Sequence, residues 1–367
     1  MNFIPLAKPN ISDQDIEAVV EVLRSGMLVQ GENVLQLEKN ITDLTGACHA
    51  SAVSNGTASL HLALIQLGIG KGDEVIVPAF SYVATANVVE LTGATPVFVD
   101  IDLQTFNIDP TLIERAINER TKAIMPVHEF GLAADMASIM DIANKHQLAV
   151  IEDAACALGA TFKGKPVGTF GDYGSFSLHP RKAVSSGEGG IVITNDPGKD
   201  RRIKILRNHG VEMLNGEMHF VDFGFNYRMT DFQAALVKNQ VKRVPEIIKY
   251  KQQLAEIYLN EINSPAITLP AIPEACNHTW QTFHIILGES LKRDHIIQSM
   301  KTKGIGTNYG AQCIPETTAY QNKYGYDSAQ LFPNALRAFR QGLALPLYDK
   351  LSKEDIQFVA TMLRESI

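Results

Sequence analysis

Cysteine is scarce and scattered in this sequence of 367 residues. Its four cysteines, Cys48, Cys156, Cys276 and Cys313, lie far apart, and no two of them form a C-x-x-C pair. Such pairs are typical of zinc sites, and dense cysteines are typical of small secreted domains held by disulfides. We therefore expect reduced thiols. The histidines show no H-x-x-x-H spacing either, so we expect no metal site.

The sequence also lacks a hydrophobic run of the roughly 20 residues that a membrane-spanning helix needs. Its opening, MNFIPLAKPNISDQD, has no charged segment followed by an apolar one and does not resemble a signal peptide. Positive charge is not in excess, because the formal net charge is −7, whereas proteins that neutralise phosphate backbones are basic. We expect a cytoplasmic protein that binds neither membranes nor nucleic acid.

No repeat or low-complexity segment interrupts the chain. Its N-terminal part predicts an amphipathic helix that Ser12 caps and Gly26 ends, with an apolar stripe of Ile16, Val19, Val20 and Leu23. Short β-branched runs then alternate with helical patterns up to about residue 200, which predicts an α/β domain with a mainly parallel sheet. The runs are EVIVPAF, TPVFVDI, TKAIMPV, LAVIEDA, GSFSL and GGIVITN.

A long helical pattern comes next along the chain, and Pro245 interrupts it. A proline-rich connection then leads to the second part of the chain. Beyond it, TFHIILG predicts a strand, whereas RDHIIQSMKTKG and SKEDIQFVATMLRES predict helices. We predict two domains: a large one over residues 1–250, which includes the N-terminal segment, and a smaller α/β domain over residues 251–367.

Three segments at predicted strand ends carry polar residues, and ligands of open α/β sheets bind at the carboxyl ends of strands. In the first, AVSNGTASLHLALIQLG, a short apolar run meets Asn55, Gly56 and Thr57 and then a helix. Such a turn directs free backbone N–H groups and the positive end of the helix at an anion. The same pattern is also typical of an ordinary helix N-cap, so phosphate binding and capping both remain open.

The second segment, LAVIEDAACALGA, ends an apparently buried strand with Glu152 and Asp153. Two buried carboxylates are unfavourable unless partners compensate them. The alternative is that one caps the next helix and the other faces water. The third segment, GSFSLHPRKAVSSGEGG, brings Ser177 and Lys182 close to a glycine-rich loop, although most lysines are simply solvated.

Together the three segments suggest pyridoxal 5'-phosphate as the cofactor. It needs a phosphate cradle, an acid that keeps the pyridine nitrogen protonated, and a lysine that forms a Schiff base. The three segments supply these groups in that order. We also expect the glycines of the third segment to let the backbone pass close to a flat cofactor and to an adjacent subunit, where a Cβ would collide.

From IPLAKPNIS to LALPLY, essentially the whole chain, the sequence resembles the nucleotide-sugar aminotransferases of the DegT/StrS group. The matching segments, in family order, are SGMLVQG, SNGTASLHLAL, VPAFSYVATANVV, PVFVDID, IEDAACALGA, GDYGSFSLHPRKAVSSGEGG, LRNHG and NYRMTDFQAAL. The resemblance implies a fold-type I aminotransferase architecture. That architecture has a large domain with a mainly parallel seven-stranded sheet and a smaller C-terminal α/β domain.

The resemblance also implies roles for individual residues. Lys182 matches the lysine that binds the cofactor covalently and, once released by substrate, moves the proton during transfer. We expect desolvation in the pocket to lower its pKa. Asp153 matches the partner of the pyridine nitrogen, and Tyr82 matches the aromatic residue that stacks on the ring.

Four further residues match positions that bind the phosphate of the cofactor. Gly56, Thr57 and Ser177 resemble the phosphate ligands contributed by the same subunit. Asn226 matches a residue that reaches the phosphate from the neighbouring subunit. The resemblance therefore implies a homodimer with shared active sites.

The sequence departs from the family pattern at four positions. Where many members read HLYGQ, this chain reads HEFGL, which places Phe130 and Leu132 where a hydroxyl and an amide are usual. Cys156 stands where Gln or His is frequent and is a weaker hydrogen-bonding group. Pro315 aligns with a histidine that faces substrate in relatives. These departures affect the expected substrate rather than the cofactor chemistry.

The reaction implied by the resemblance transfers an amino group from L-glutamate to a nucleotide-linked keto-sugar, with a 4-keto-6-deoxy hexose favoured. The amino sugar would serve surface polysaccharide, lipopolysaccharide O-antigen, other glycan or antibiotic biosynthesis. Alternatives are a cyclitol ketone as acceptor and a sugar dehydratase. In the dehydratase a histidine replaces the lysine, and His179 lies nearby. A non-catalytic regulatory relative would have lost Lys182, Asp153 or Tyr82, and all three are present.

Overall fold

A computed structural model describes residues 3–367 of the chain, which form thirteen α-helices and seventeen β-strands. The helices are α1 (Asp13–Ser25), α2 (Glu32–Thr45), α3 (Gly56–Gln66), α4 (Ala84–Leu91), α5 (Met136–His146), α6 (Pro197–Leu206), α7 (Asp231–Lys242), α8 (Val244–Glu261), α9 (Arg293–Thr302), α10 (Thr318–Tyr324), α11 (Ser328–Leu331), α12 (Pro333–Gln341) and α13 (Lys353–Arg364). The strands are β1 (His49–Val53), β2 (Glu74–Pro78), β3 (Phe80–Ser81), β4 (Thr95–Val99), β5 (Thr121–Ile124), β6 (Ala149–Asp153), β7 (Thr161–Phe162), β8 (Lys165–Pro166), β9 (Tyr173–Ser177), β10 (Gly190–Thr194), β11 (Val211–Leu214), β12 (Glu217–Phe220), β13 (Ile267–Thr268), β14 (Cys276–Asn277), β15 (Phe283–Leu287), β16 (Gln312–Cys313) and β17 (Gly342–Leu345). Among these residues, no helix has the length and apolar character to cross a membrane.

Seven strands form the central sheet, in the order β1-β10-β9-β6-β5-β2-β4. Strand β10 runs antiparallel to both of its neighbours, whereas the pairs from β9 to β4 are parallel. The predicted mainly parallel seven-stranded sheet is therefore confirmed, and each of the six predicted runs overlaps one of its strands. Because the parallel strands share a direction, the ends of β2, β5, β6 and β9 lie along one edge of the sheet.

Apolar side chains cover both faces of this sheet. Successive residues of a strand point to opposite faces, and in β2 the residues Val75 and Val77 enter one hydrophobic cluster while Ile76 enters the other. One cluster includes Leu37 of α2, and the other includes Leu62 of α3. The polar ends of the strands remain free to form a site at the edge.

Helix α1 is capped as predicted, with a capping box at its start and a left-handed glycine at its end. A different face from the predicted one is buried, however. Asp15 is fully buried and pairs with Arg243 at 2.7 Å, and Ala18 packs against α7. This ion pair turns the predicted stripe outward, so Ile16 and Leu23 are 51% and 54% exposed.

The C-terminal part has its own small sheet, β13-β15-β17, with antiparallel pairing. Helices α8, α9 and α13 pack around it, with Phe283, Met300 and Val359 fully buried among them. The predicted strand and two helices are confirmed here, and Pro245 lies in the first turn of α8 after the predicted break. The boundary predicted at residue 250 falls within α8, and the two-domain division stays a prediction.

Strand β6 ends in two carboxylates, and the first of them stabilises a loop. Glu152 is fully buried and accepts hydrogen bonds from the backbone N–H groups of Gly168 (2.7 Å), Phe170 (2.7 Å) and Gly171 (2.8 Å). Its Oε2 atom also lies 2.9 Å from Nε2 of the buried His128. Glu152 therefore neither caps a helix nor faces water, and it fixes the turn that leads into β9.

We expect Glu152→Ala to lower the free energy of unfolding by about 3–5 kcal/mol, because three backbone donors and His128 would lose their buried partner. Denaturant unfolding followed by circular dichroism measures this loss. Glu119→Ala, at an exposed glutamate, is the control and should change stability by less than about 0.5 kcal/mol. A loss below 1 kcal/mol in Glu152→Ala would contradict the assigned role.

Candidate active site

A cleft of about 930 Å³ opens at the carboxyl edge of the central sheet. Six of the seven predicted site residues line it, and they come from segments that are distant in sequence. They are Gly56, Thr57, Tyr82, Asp153, Ser177 and Lys182. The seventh, Asn226, is exposed and does not line this cleft.

The first residues of α3 line the cleft. The Asn55 side chain caps the helix by accepting a hydrogen bond from the Ala58 N–H at 2.8 Å, and the next two residues begin the helix inside the cleft. Ser177, at the end of β9, lies against Gly56, where an added Cβ would come within 3.0 Å of the serine Cβ. A helix N-terminus with its donors facing a cleft suits a phosphate group.

A glycine of the GEGG loop makes this close approach possible. An added Cβ on Gly190 would lie 2.3 Å from the Asn55 carbonyl oxygen and 2.7 Å from the Gly56 nitrogen. Gly190 is thus required by the chain's own backbone, because it lets β10 pass beside the turn that begins α3. The expected role beside a cofactor and a second subunit stays a prediction.

Asp153 ends β6 next to Glu152 and, because successive residues of a strand alternate, turns its side chain to the other face of the sheet. It is buried, and its carboxylate accepts hydrogen bonds from the Thr85 hydroxyl at 2.8 Å and from the Ala155 N–H at 3.2 Å. Burial raises its pKa, whereas Thr85, Ala155 and the charge of Lys182 act in the opposite direction. A cationic ring nitrogen would compensate this buried carboxylate.

Lys182 lies opposite Asp153 and close to Cys156. Its Nζ atom is 3.0 Å from the Cys156 Sγ atom. Burial lowers the pKa of Lys182, but Cys156, Asp153 and Glu129 raise it and outweigh burial. The prediction that the pKa of Lys182 is lowered is therefore wrong, because three acidic groups of the chain surround the amine.

These groups together fit pyridoxal phosphate. Gly56 leaves the space that a Cβ would fill beside Ser177, Asp153 is a buried carboxylate suited to a protonated pyridine, and Lys182 supplies an amine. Tyr82, the predicted stacking residue, lines the cleft with 66% of its surface exposed. The individual roles of these residues stay predictions.

The four departures from the family pattern lie in different surroundings. Phe130 lines the cleft and stacks on the buried His284 with ring centroids 4.5 Å apart. Cys156 contacts the amine of Lys182, as described above. Leu132 and Pro315 are buried and do not line the cleft. Two of the four departures therefore line the cleft.

The sequence interpretation missed several polar residues of the cleft, among them Ser81, Thr85 and Glu129. Ser81 and Thr85 flank Tyr82 in the motif AFSYVATAN, which was quoted for its aromatic residue alone. Glu129 lies inside the HEFGL segment, between His128 and the departure at Phe130. A charged residue directly after the predicted strand β5 was the signal that could have identified it.

Curated and solved proteins resemble this chain over its whole length. The model of the DegT/DnrJ/EryC1/StrS aminotransferase family matches residues 9–364. The GDP-perosamine synthase of Caulobacter vibrioides is 40% identical over 307 residues, which cover 82% of each chain. The UDP-4-amino-4-deoxy-L-arabinose–oxoglutarate aminotransferase of Shewanella sediminis is 37% identical over 382 residues, which cover 100% of this chain and 98% of that protein.

A solved structure supports both the fold and the cofactor. Spr1654 of Streptococcus pneumoniae, solved in its PLP form, superposes with a TM-score of 0.93 at 30% identity and covers 100% of both chains. The family match, the fold and the fitting cleft lead to one assignment. The chain belongs to the DegT/DnrJ/EryC1/StrS aminotransferase family and is an aminotransferase that depends on pyridoxal phosphate.

Proposed function

We propose that this enzyme transfers the amino group of L-glutamate to a nucleotide-linked keto-sugar, with a 4-keto-6-deoxy hexose as the favoured acceptor. The single observation that carries the proposal is the cleft in which Lys182, Asp153 and the N-terminus of α3 meet. The names of two relatives support it, because one synthesises a GDP-linked sugar and the other uses a UDP-linked amino sugar and oxoglutarate. Oxoglutarate is the keto acid that glutamate becomes when it donates its amine.

The far wall of the cleft supports a large polar substrate. Residues from the C-terminal part of the chain, Gln281, Thr282, Tyr309 and Gln312, line it and offer hydrogen-bond donors and acceptors. Arg181 also lines the cleft beside Lys182, and its guanidinium suits a carboxylate or a phosphate. A volume of about 930 Å³ leaves room beyond a cofactor for a sugar linked to a nucleotide.

Bound pyridoxal phosphate supplies an aldehyde that joins to amines and a protonated ring that accepts electrons from the adjacent carbon. The chain's own residues then perform three tasks. The N-terminus of α3, together with Ser177, holds the phosphate, and Asp153 keeps the proton on the ring nitrogen. Lys182 would hold the cofactor before substrate arrives, and its amine would afterwards take up and return a proton at the donor carbon.

The overall reaction exchanges an amino group for a keto oxygen in two halves. Glutamate enters, leaves its amine in the cleft and departs as 2-oxoglutarate. The keto-sugar then takes the amine at its carbonyl carbon and leaves as an amino sugar. The product would enter the synthesis of surface polysaccharide, including lipopolysaccharide O-antigen, another glycan or an antibiotic, and the enzyme would act in the cytoplasm.

A second copy of the chain completes the proposed site. The hairpin β11–β12 and the residues after it expose an apolar surface, with Phe220 72% and Phe223 96% exposed. Asn226 follows this surface and lies outside the cleft of its own chain. We infer that the hairpin surface packs against a second copy and that Asn226 reaches the phosphate in the partner's cleft.

The alternatives differ in their acceptor or in the fate of the sugar. The cyclitol alternative keeps the same cofactor chemistry and changes only the ketone. The dehydratase alternative needs a histidine in place of the lysine. Here Lys182 contacts Cys156 in the cleft, while His179 lines the cleft three residues earlier. The lysine therefore favours amino transfer.

We expect purified enzyme, given L-glutamate and UDP-, GDP- or dTDP-linked keto-sugars, to form an aminated sugar from a 4-keto-6-deoxy hexose. Mass spectrometry identifies the product, and 2-oxoglutarate should appear in equal amount. Preference for a cyclitol ketone, or loss of water without gain of nitrogen, would instead favour one of the alternatives.

We expect Lys182→Ala to lower the rate of amino transfer at least about 100-fold, because the proton carrier is removed. The visible absorption of the bound cofactor should also change, since its covalent attachment is lost. Lys301→Ala, at an exposed lysine of α9, is the matched control and should behave like the wild type. Transfer at the wild-type rate by Lys182→Ala would refute the assignment of this lysine.

We expect the enzyme to sediment as a dimer of its 40.2 kDa chain. Phe223→Asp should produce monomers and abolish activity, because a charge would enter the apolar interface. Asn226→Ala should stay dimeric but bind pyridoxal phosphate at least about 10-fold more weakly. Ile272→Asp, at an exposed isoleucine outside the hairpin, is the control. A monomeric wild type with full activity would overturn the shared-site proposal.

A further inference from the structure

A buried histidine, His284, lies directly behind the wall of the cleft. It belongs to β15, is 1% exposed, and stacks on Phe130 with ring centroids 4.5 Å apart. Phe130 lines the cleft, so one aromatic ring separates the histidine from it. Neither ring nitrogen of His284 makes a hydrogen bond with any of residues 3–367. Buried polar groups are nearly always paired, so this histidine requires an explanation.

Two glycines pack against the polar edge of the histidine ring. A Cβ added to Gly310 would lie 2.6 Å from Nδ1, and a Cβ added to Gly342 would lie 2.5 Å from Nε2. Each glycine therefore turns a C–H bond, rather than an N–H or C=O group, toward a ring nitrogen. Gly342 is fixed in the small sheet, where it pairs with Ile286, whereas Gly310 belongs to a loop that lines the cleft. The surroundings of Nδ1 are thus the ones that can change.

The loop that contains Gly310, residues 307–312, is held by few hydrogen bonds at its centre. Gly310 donates its N–H to Asn308 Oδ1 at 2.8 Å. The backbone groups of Tyr309 and Ala311 form no hydrogen bond with the other residues that the structure describes. Segments with few backbone hydrogen bonds rearrange at low cost in free energy.

Unpaired polar atoms are concentrated at this loop. Ten buried side-chain nitrogen or oxygen atoms lack a partner among residues 3–367. Four of them lie here, namely the two ring nitrogens of His284, Oγ1 of Thr307 and Oε1 of Gln312. Each such atom costs free energy in the present arrangement. The concentration therefore favours a second arrangement of the loop in which some of these atoms are paired.

The peptide group between Gly310 and Ala311 can supply a partner to the histidine. Gly310 has a φ of +78°, and glycine enters and leaves this region without the strain that a Cβ would bring. Burial, together with the charge of Arg293, lowers the pKa of His284 to about 3, so the imidazole is neutral near pH 7. A neutral imidazole can donate to a C=O or accept from an N–H, depending on its tautomer. A turn of this peptide in either sense would therefore satisfy Nδ1.

We propose that the loop 307–312 rearranges when the keto-sugar binds, and that His284 is a positioning residue that holds the rearranged loop through the peptide group after Gly310. Tyr309 and Gln312 of this loop line the far wall of the cleft. Contacts of the sugar with these side chains and the new hydrogen bond of His284 together favour the rearranged loop, and the substrate shifts the equilibrium toward it. The inference rests on the proposed function for the identity of this ligand.

The two halves of the reaction should depend differently on His284. Glutamate is small, and its amine reacts beside Lys182. The keto-sugar also carries a nucleotide, which extends to the wall that the loop forms. Loss of the histidine nitrogens should therefore impair the keto-sugar half and spare the glutamate half, whereas general damage to the fold would impair both.

Rapid absorption measurements on the holoenzyme follow each half separately, because the bound cofactor absorbs differently before and after it. We expect His284→Leu, which removes both nitrogens, to slow the keto-sugar half at least about 10-fold and to change the glutamate half less than about 2-fold. His284→Asn keeps a polar atom near the position of Nδ1 and should restore most of the lost rate. His295→Leu, at an exposed histidine of α9, is the matched control and should behave like the wild type.

Hydrogen exchange followed by mass spectrometry gives a second readout, which needs binding but no turnover. The probes are dTDP-, UDP- and GDP-linked 4-keto-6-deoxy hexoses, each added in turn to the holoenzyme. At least one should protect the amides of residues 309–311 in the wild type and in His295→Leu, but not in His284→Leu. If His284→Leu does not fold, His284→Phe, which keeps a ring against Phe130 without nitrogens, takes its place.

Three results would overturn the proposal. They are equal slowing of both halves in His284→Leu, equal protection of residues 309–311 in this variant and the wild type, and no protection of the wild type by any of the three sugars. Protection without amination would instead refute the proposed function and leave the role of the loop supported.

Discussion

The alternation of side chains at the end of β6 determines both the scaffold and the chemistry of this enzyme. Glu152 and Asp153 are adjacent, so a strand must send their carboxylates to opposite faces. Glu152 binds three backbone N–H groups and thereby fixes the turn before β9. Asp153 enters the cleft. A shift of one residue in this strand would turn each carboxylate to the opposite face, so that neither could make its present contacts.

Much of the fold and part of the site could be predicted from the sequence, and the errors have physical causes. Apolar runs identified the sheet and strand-end motifs identified five cleft residues because these features are local, whereas Tyr82 was identified by the family resemblance alone. The buried face of α1 was wrong, since a distant ion pair between Asp15 and Arg243 determines it. The predicted pKa of Lys182 was wrong because the acids that surround it come from two other segments, one after β5 and one at the end of β6.

The position of Glu129 is another feature that depends on distant segments and could not be predicted from the sequence. Nothing next to it in sequence indicates that a serine from the segment after β2 and an aspartate at the end of β6 line the same cleft. Parallel strands bring these segments together only because β2, β5 and β6 are neighbours in the sheet. Sequence patterns predict which residues lie at strand ends, whereas the order of strands decides which of them lie close together.

The reversed strand β10 has a consequence for how the enzyme folds. In the central sheet β1 pairs only with β10, although residues 53 and 190 are far apart in sequence. Contacts between distant residues form late because closing the long loop costs entropy. Gly190 also passes beside the turn that begins α3. We therefore expect the N-terminal turn of α3 to reach its final position in the cleft only when β10 joins the sheet, so that cofactor binding would follow folding rather than guide its early steps.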